Sequence, residues 1–486
     1  MIAGIILFIY GLSMTIVFMF SMIQLQLTWH YLRKAKPKLI PEMPGALPFI
    51  TIQLPIFNEK YVIERLLDAV SNLNYPKDCF EIQVLDDSND ETVTIVEHQI
   101  LEIEKKNIHI SHLRRTDRVG FKAGALAYGL RYAKGDFIAI FDADFVPNPD
   151  FITAVIPYFN NKNVGMVQTR WSHLNEHFNL LTRLQAFGLN AHFTIEQTGR
   201  QNSHSFINFN GTAGIWRKQT VLDAGGWQHD TLTEDLDLSY RAQLKGWKFE
   251  YLEHITSPSE LPIIIESVKS QQFRWNKGTA ETARKNMKQV IASNMKLGQK
   301  INALFHLFNS SVFIFILLAA LLSIPMLYIK SGHPELQYLF NLGSIFLIGF
   351  LAISLFYWHA TNVTQPAPFR YFCLHFPIYI SFSLGLSLHN AIALIEGFLN
   401  IKTDFIRTPK FNVKKRSDHW KEYSDKKLRI PTLTYLEGLL MLYFIFGCWY
   451  GVQLGDYGFV PFHLMLSLGY GYVFFESLKR HTSNGS

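Results

Sequence analysis

Long apolar runs lie at the beginning of this 486-residue chain and in its second half. Residues 2–29 contain no charged side chain, and a run of that length is enough to cross a bilayer core of about 30 Å. Four later runs are similarly apolar, at residues 308–329, 338–358, 433–452 and 459–475. The pattern predicts about five spanning helices: an N-terminal one within residues 1–30 and two transmembrane hairpins, at 306–358 and 433–478.

Between these runs, residues 40–278 show a different pattern, in which short apolar stretches alternate with amphipathic ones. The short stretches predict buried strands at residues 49–54, 81–85, 108–113, 137–141 and 164–168. Helical spacing predicts helices at residues 61–73, 91–104 and 122–133. This alternation indicates an α/β domain whose mostly parallel sheet carries helices on both faces. Ligands of such sheets bind beyond the carboxyl ends of the strands.

Two further segments are predicted to lie at the membrane surface. Residues 279–305 combine an apolar face with basic residues, which favours an interfacial amphipathic helix over one that packs on the domain. Residues 371–399 are apolar but contain His375 and Glu396. The loop at 400–430 holds ten Lys or Arg against four Asp or Glu, which places it in the cytoplasm. Because the preceding hairpin at 306–358 already returns the chain to the cytoplasm, a crossing by residues 371–399 would place this loop outside. Residues 371–399 are therefore predicted to form an interfacial or re-entrant helix.

The net charge of +7 is concentrated in basic clusters beside apolar runs, at residues 33–38 and 402–429. This placement indicates positive-inside topology and not nucleic-acid binding, because no nucleic-acid module accompanies it. We expect an integral protein of a bacterial inner membrane, with membrane lipids as neighbours and the middle domain in the cytoplasm. The three cysteines are too widely spaced for a metal site or a disulfide framework. The oligomeric state stays open.

Polar clusters follow the first two predicted strands. Pro55, Asn58 and Glu59 come after the first strand and open a helix, where backbone amides are placed to meet a nucleotide. An ordinary turn is the alternative. Asp86 and Asp87 end the next strand, and a base or a ribose would supply hydrogen-bond donors to these carboxylates. The alternative for the second cluster is a capped helix start.

Asp142 and Asp144 come directly after the apolar strand at 137–141. Two carboxylates together with diphosphate oxygens suit a hard divalent cation such as Mg²⁺ or Mn²⁺. Asp235 and Asp237 have the same spacing but fall inside an amphipathic helix. We therefore predict the metal site at Asp142 and Asp144, which also face the donor.

Two helix starts carry further candidate chemistry. Lys122 begins a helix among small residues and is within reach of a phosphate, although a solvated lysine is the alternative. Thr233 is a good helix N-cap, followed by Glu234 and Asp235. The helix dipole would keep Asp235 ionised, as a general base requires. A plain acidic first turn is the alternative.

A last cluster lies before the basic amphipathic segment. Gln271 and Arg274 are three residues apart, hence on one helical face, and Trp275 is adjacent. The guanidinium fork of Arg274 matches diphosphate oxygens, and the indole of Trp275 can stack on a sugar. Ordinary packing is the alternative. From Trp275 an acceptor would pass toward the membrane.

In this order the clusters resemble the processive family 2 glycosyltransferases, which include cellulose, hyaluronan and chitin synthases. The match is closest to plant cellulose synthase-like mannan and glucan synthases and their bacterial counterparts, and it covers residues 48–278. The resemblance implies a GT-A fold, inversion at the anomeric carbon and a β-linked product. It also implies that Asp87 contacts the nucleotide, that Asp142 and Asp144 hold UDP and metal, and that Asp235 is the base.

The resemblance assigns further residues to the acceptor and diphosphate end of the site. These are Asn210, Gly211, Thr212, Gln271, Arg274 and Trp275. Residues 405–410 also resemble the gating loop of cellulose synthases, Phe-x-Val-Thr-x-Lys. They match at Phe405, Thr408 and Lys410 but not at Arg407.

The sequence therefore predicts a membrane glycosyltransferase that uses UDP-glucose or GDP-mannose with Mg²⁺ or Mn²⁺. It would extend a β-linked polysaccharide, a β-1,4-glucan or mannan, and pass it across the membrane. One alternative is transfer of a single sugar to a lipid acceptor, as in ceramide glucosyltransferases. A transporter whose cytoplasmic domain only binds nucleotide is another. Trp275 and the spans that follow it favour polymer synthesis.

Overall fold

The computed structural model describes residues 1–33, 41–403, 407–414, 418 and 431–482. Its sheet has seven strands: β1 (Ile50–Ile56), β2 (Phe80–Asp86), β3 (His109–Arg114), β4 (Phe137–Ile140), β5 (Val164–His173), β6 (Gly214–Arg217) and β7 (Lys248–Ser259). They are ordered β3-β2-β1-β4-β6-β5-β7, and β6 alone runs antiparallel to its neighbours. The predicted α/β fold with a mostly parallel sheet is confirmed.

Among the described residues up to 250, nine α-helices precede, connect or cover these strands. They are α1 (Ile2–Leu32), α2 (Ile63–Ser71), α3 (Thr92–Glu104), α4 (Phe121–Tyr132), α5 (Phe151–Val155), α6 (Leu180–Ala191), α7 (Gln197–Asn202), α8 (Lys218–Asp223) and α9 (Glu234–Leu244). A π-helical turn, His192–Glu196, joins α6 to α7. The helices predicted at 61–73, 91–104 and 122–133 correspond to α2, α3 and α4.

Both faces of the sheet carry buried apolar side chains, and each face has its own apolar cluster. On one face Ile52, Leu54 and Val84 are buried with Leu66 and Val70 of α2. Burying each such side chain contributes about 1.5–3 kcal/mol. The other face buries a second apolar cluster, including Leu126, Ile138, Ile140, Trp216 and Phe249.

Strands β6 and β7 were not predicted from the sequence. β6 has four residues and lies between β4 and β5, where tertiary pairing and not length specifies it. β7 carries Lys248, Glu250 and Glu253, so its apolar alternation is weak. It lies at the edge of the sheet, where polar side chains reach solvent.

The second half of the chain is helical. Its helices are α10 (Ile265–Ala292), α11 (Leu297–Leu307), α12 (Val312–Gly332), α13 (Gln337–Gly343), α14 (Leu347–Thr364), α15 (Pro368–Gly385), α16 (Ser387–Phe398), α17 (Thr432–Gln453) and α18 (Val460–Thr482). Among the described residues, four segments are long and apolar enough to cross a membrane: Ile2–Leu32, Asn309–Gly332, Pro334–Thr364 and Thr432–Gln453. The pair α15–α16 is bent by 47° and is either a broken span or a re-entrant loop.

Helix α18, predicted as a span, is not among these four segments. Its polar side chains face neighbouring helices: His463 Nε2 lies 2.8 Å from Ser323 Oγ, and the Tyr470 hydroxyl lies 2.9 Å from Ser387 Oγ. Helices α15 and α18 also approach closely at Gly385 and Gly469. A Cβ on Gly469 would lie 1.9 Å from the Ser381 carbonyl oxygen, so only glycine fits there. By length and composition, the described residues thus give four candidate spans, or five with the bent pair, against the predicted five.

The predicted single amphipathic helix at 279–305 is wrong in extent. Helix α10 begins at Ile265, runs through the Gln271–Trp275 cluster without a break, and ends at Ala292, where α11 follows after a short gap. Ala280, Ala283 and Val290 of α10 are buried within the protein, so its apolar face covers protein and not lipid. Helix α11 has an exposed apolar face, formed by Leu297, Ile301 and Leu304.

A buried ion pair ties α10 to the last two helices. Lys269 Nζ lies 2.8 Å from Glu437 Oε2 and 2.9 Å from Ser477 Oγ, and the Glu437 side chain is fully buried. Breaking a buried pair leaves a charge without compensation. Lys330 and Asp456 form a more exposed pair at 2.6 Å and serve for comparison.

We expect Lys269→Met to destabilise the protein by about 3–5 kcal/mol, because the buried Glu437 carboxyl group would lose its ion-pair partner. Lys330→Met should cost less than about 1 kcal/mol. The measurement is the unfolding midpoint of the purified protein in detergent. The double variant Lys269→Met with Glu437→Gln should recover most of the loss. Equal midpoints for the two single variants would contradict the expectation.

Candidate active site

Two adjoining cavities lie beyond the carboxyl ends of β1, β2 and β4. The sheet-edge cavity, about 200 Å³, is lined by residues that include Pro55, Glu59, Asp87, Lys122, Asp142 and Asp144. The helix-side cavity, about 350 Å³, reaches between the C-terminal helices, and its lining includes His192, Asn208, His306, Phe313, Tyr379 and Asn390. Seven residues line both: Trp171, Leu189, Asn210, Thr233, Asp235, Gln271 and Trp275. The cavities therefore meet at the predicted base and at the predicted acceptor residues.

Most of the predicted site residues that the structure describes line one of these cavities, and three do not: Asn58, Asp86 and Thr212. The Asn58 backbone N–H donates to Ser88 Oγ at 2.8 Å, joining the loops after β1 and β2. Asp86 is buried beside His112, whose Nε2 lies 2.8 Å from Asp86 Oδ2. Although burial alone would raise it, hydrogen bonds from His112 and Ser88 lower the pKa of Asp86. Asp86 thus fixes the loop that presents Asp87.

The third of these residues, Thr212, positions a carboxylate. Its Oγ1 accepts a hydrogen bond from the Asp142 backbone N–H at 2.9 Å. Gly211, which precedes it, has φ +82°, a conformation that favours glycine. A Cβ on Gly211 would lie 3.1 Å from Asp235 Oδ2 and 3.3 Å from Lys122 Nζ. The missing side chain leaves the space in which these two charged groups face each other.

Lys122 is the cation at the centre of the sheet-edge cavity. Its Nζ donates to Asp142 Oδ1 at 2.5 Å and to the Gly211 carbonyl at 2.9 Å. Burial opposes the charged form, but Asp142, Glu234 and Asp235 together raise the pKa of Lys122. The alternative of a solvated lysine does not describe this arrangement.

Asp235 differs from the carboxylate that the sequence predicts. Burial and the charge of Glu234 raise the pKa of Asp235 to about 7, against the opposing effect of Lys122. Burial also raises the pKa of Glu234. The helix N-terminus does not overcome these effects, so Asp235 titrates near neutral pH. This pKa suits a group that must accept a proton from a hydroxyl.

The sequence predicts that the Thr233 side chain caps helix α9, but it does not. Its Oγ1 lies 3.2 Å from Thr282 Oγ1 on α10, and no side-chain cap hydrogen bond forms at the start of α9. Gly278 of α10 packs against the same residue, since a Cβ there would lie 2.6 Å from Thr233 Cγ2. Contact with α10 therefore determines the Thr233 rotamer, and the base turn is held against the helix that carries Trp275.

Residues 407–412 extend across the sheet-edge cavity, and several of them bind its polar groups. Arg407 Nη1 lies 2.7 Å from Glu59 Oε2, and Lys410 Nζ lies 2.8 Å from Asp144 Oδ2. Thr408 Oγ1 accepts a hydrogen bond from Arg274 Nη2 at 2.9 Å. The Phe411 backbone N–H and the Asn412 side chain bind Glu260 and Arg65 of the domain. Phe405 of the predicted gating loop lies outside the described residues.

The pKa of Glu59, which follows the first strand, depends on burial and on these contacts. Burial raises the pKa of Glu59 to about 7, with Arg407 and Lys410 opposing the rise. Desolvation lowers the pKa of Arg274, against the attraction of Glu234 and Asp142. The position at which the gating-loop pattern fails, Arg407, is thus the one that pairs with Glu59.

Several residues that line the cavities or hold a lining residue were missed by the sequence prediction. Trp171 lines both cavities from the extended end of β5, and Arg115 holds both carboxylate oxygens of Asp87. Arg118 stacks on the Phe57 ring, with its guanidinium carbon 3.2 Å from the ring centroid. None lies in a recognisable motif. The basic residues near position 115 could have indicated the partner of Asp87, because a buried carboxylate needs a cation beside it.

Asp142 and Asp144 supply only part of a metal site. Among the described residues, no group of three or more His, Cys, Asp or Glu side chains is arranged to hold a metal ion. Both carboxylates attract cations, since each holds a lysine ammonium. The donor set therefore fits Mg²⁺ or Mn²⁺ when a diphosphate supplies the remaining oxygens. Asp237, which with Asp235 has the same spacing as Asp142 and Asp144, is fully buried. Arg241, Lys285 and Asn286 bind its carboxylate.

Comparison with known proteins gives the same domain. Residues 48–278 match the family model described as "Glycosyltransferase like family 2". Glucomannan 4-beta-mannosyltransferase 2 of Arabidopsis thaliana is 42% identical over 271 residues, which are 54% of this chain and 50% of that protein. Probable glucomannan 4-beta-mannosyltransferase 4 of Oryza sativa subsp. japonica is 39% identical over 332 residues, 63% of this chain and 60% of that protein.

The chain thus spans about half of the first of these curated relatives and somewhat more of the second. Both are plant proteins, so they give the predicted bacterial inner membrane no support. Among solved structures, a mannosyltransferase from Pyrobaculum calidifontis in complex with GDP-Man and Mn²⁺ has a TM-score of 0.58 at 16% identity. It covers 82% of this chain and 100% of its own, and this likeness shows a shared fold. Residues 48–278 are therefore a glycosyltransferase family 2 domain with a GT-A fold.

Proposed function

We propose that the protein is a membrane-embedded, inverting glycosyltransferase that extends a β-linked polysaccharide from a nucleotide-sugar donor. The junction of the two cavities carries this proposal. A donor in the sheet-edge cavity and an acceptor in the helix-side cavity would meet at Asp235, Asn210 and Trp275, which line both. A transporter would have no need of a base at that junction.

Each cavity residue has a role in this reaction. Asp87 would contact the nucleoside, while Lys122 and Arg274 would bind the diphosphate. Mg²⁺ or Mn²⁺, held by Asp142, Asp144 and the diphosphate, would neutralise charge on the leaving group. Trp275 would stack on the acceptor sugar.

Transfer itself is a single displacement. Asp235 takes the proton of the acceptor hydroxyl, and the hydroxyl oxygen forms a bond to the anomeric carbon. The bond from that carbon to the diphosphate oxygen breaks on the opposite face, which inverts the configuration. The nucleoside diphosphate leaves with the bonding electrons, and Asp235 is left protonated.

The relatives' names favour mannose as the transferred sugar and a 4-linked product. The donor would then be GDP-mannose, with UDP-glucose as the second candidate. Beyond the junction, Phe313 of α12 and Phe382 of α15 line the helix-side cavity, so the product would leave between apolar helices. With the catalytic domain in the cytoplasm, this route leads across the membrane.

We expect purified protein with GDP-mannose and Mn²⁺ to form a β-1,4-linked polymer, and to use UDP-glucose more slowly. Product size and linkage, measured on radiolabelled material after glycosidase digestion, provide the test. Asp235→Asn should lower the transfer rate by about 10²-fold or more while nucleotide binding persists. An organic-extractable lipid that bears a single sugar would refute polymer synthesis and favour the lipid acceptor.

The pH dependence tests the base. Because Asp235 must be deprotonated, kcat/KM should fall as the pH drops below about 7, the pKa of this group. Glu234→Gln removes a negative charge that raises the pKa of Asp235. In that variant the acidic limb should move to lower pH, by about one unit. An unmoved limb, measured between pH 5.5 and about 8.5, would show that another group takes the proton.

Metal removal tests Asp142 and Asp144. Chelation should abolish transfer, and added Mn²⁺ or Mg²⁺ should restore it. Asp144→Asn should raise the Mn²⁺ concentration for half-maximal rate by about tenfold, because one of two protein carboxylates is lost. Asp230→Asn is the matched control, since Asp230 is an aspartate outside both cavities that pairs with Lys285. Full activity in excess chelator would contradict a metal role.

A further inference from the structure

The π-helical turn between α6 and α7 carries a chain of polar groups that ends at the cavity junction. π-Helical turns are rare, and they occur frequently at functional sites. This one begins at His192 and ends at Glu196. Neither residue belongs to the clusters that the sequence singled out, yet both line the helix-side cavity.

The inner end of the chain is a buried ion pair. Arg200 Nη2 donates to Glu196 Oε1 at 2.6 Å, and both residues are buried. Although burial opposes ionisation, Arg200 and His192 hold the pKa of Glu196 well below its usual range. Glu196 is therefore a carboxylate and accepts hydrogen bonds only. Its other oxygen, Oε2, lies 3.0 Å from His192 Nδ1.

This contact determines the tautomer of His192. Since Glu196 can only accept, Nδ1 of His192 carries a proton, and Nε2 acts as an acceptor where it faces a donor. The group that faces Nε2 is the side-chain nitrogen of Asn210, at 3.2 Å. Asn210 Nδ2 thus donates one of its two N–H groups to His192.

The rest of Asn210 is also fixed. Its Oδ1 accepts from Gln197 Nε2 at 2.7 Å, and its backbone N–H donates to Gln168 Oε1 at 3.0 Å. Rotating the amide by 180° would bring two donors together at Gln197. The second N–H of Asn210 is consequently directed in one way, at the junction that Asn210 shares with Asp235.

We propose that His192 is a positioning residue for the acceptor, which holds the Asn210 amide so that its remaining N–H binds an acceptor sugar hydroxyl beside Asp235. This inference rests on the proposed function and adds to it. Arg200 and Glu196 fix the ring, and the ring fixes the amide. Such a contact orients the attacking sugar and does not touch the donor, so its loss should appear in acceptor binding.

Two matched substitutions distinguish the roles of the two ring nitrogens of His192. In His192→Gln the amide oxygen stands near the position of Nε2 and still accepts from Asn210. In His192→Asn the shorter amide stands near Nδ1, keeps the Glu196 contact and loses Asn210. With a β-1,4-linked oligosaccharide as added acceptor, H192N should raise the acceptor KM by about tenfold, as expected for one hydrogen bond. H192Q should stay within about threefold of the unsubstituted protein.

Donor-side measurements serve as the internal control. Nucleotide affinity and the slow hydrolysis of the nucleotide sugar should be unchanged in both variants. In an Asn210→Ala background, H192N should have no further effect on the acceptor KM, because His192 acts through Asn210. A loss of nucleotide affinity in H192N equal to its loss of transfer would overturn the proposal, as would additive effects of H192N and Asn210→Ala.

The same assays distinguish this inference from the function on which it rests. If the unsubstituted protein transfers no sugar to any acceptor, the proposed function fails and the role of His192 fails with it. If that protein transfers sugar and H192N matches H192Q, the proposed function stands and the role of His192 is refuted.

Discussion

Compensation of crowded carboxylates is the constraint on which the site depends. Asp142, Glu234 and Asp235 meet within one cavity at the edge of the sheet, where burial raises the pKa of Glu234 and where burial and the charge of Glu234 raise that of Asp235. Lys122 lies among them, bonded to Asp142 and attracted by the other two. Without that ammonium group, this cluster of acids would lose a compensating positive charge. Lys122 opposes the rise that burial and Glu234 cause, and so helps to keep the pKa of Asp235 near neutrality.

The same constraint explains the path of residues 407–412. This segment brings Arg407 to Glu59 and Lys410 to Asp144. A divalent ion at Asp144 would compete with Lys410, while a diphosphate would offer that ammonium a new partner. Under the proposed function, donor binding thus exchanges one set of ion pairs for another at little net cost. The segment is held by the charges that the substrate itself would use.

The local pattern of apolar and polar residues predicted those strands and helices whose burial follows from their own sequence. Strands β1, β2 and β4 are buried on both faces, and their many apolar positions were enough to predict them. The antiparallel β6 and the polar β7 depend on neighbours distant in sequence, which a local pattern does not contain. For helix α10, the local pattern predicted a location that the structure does not show. Its basic, amphipathic second half suggested a membrane surface, but the apolar face is covered by protein.

Residue type and order were enough to name the carboxylates, but not their ionisation. The expected effect of the helix dipole on Asp235 is smaller than the effects of burial and Glu234, which only the fold reveals. His192 and Glu196 have no sequence motif, and their role emerges from contacts that cross from the π-helical turn to Asn210.

Helix α10 unites these parts because one rigid element serves both cavities and the membrane helices. Gln271, Arg274 and Trp275 lie at the cavities, while Lys269, less than one turn earlier, is paired with Glu437 of α17. Further along, Lys277 Nζ binds Glu396 of α16 at 3.1 Å. A shift of the C-terminal helices must therefore move α10, and with it the indole that would hold the acceptor. In a continuous helix such a shift is transmitted as a rigid body, which would couple the two cavities to the helices between which, under the proposed function, the product would leave.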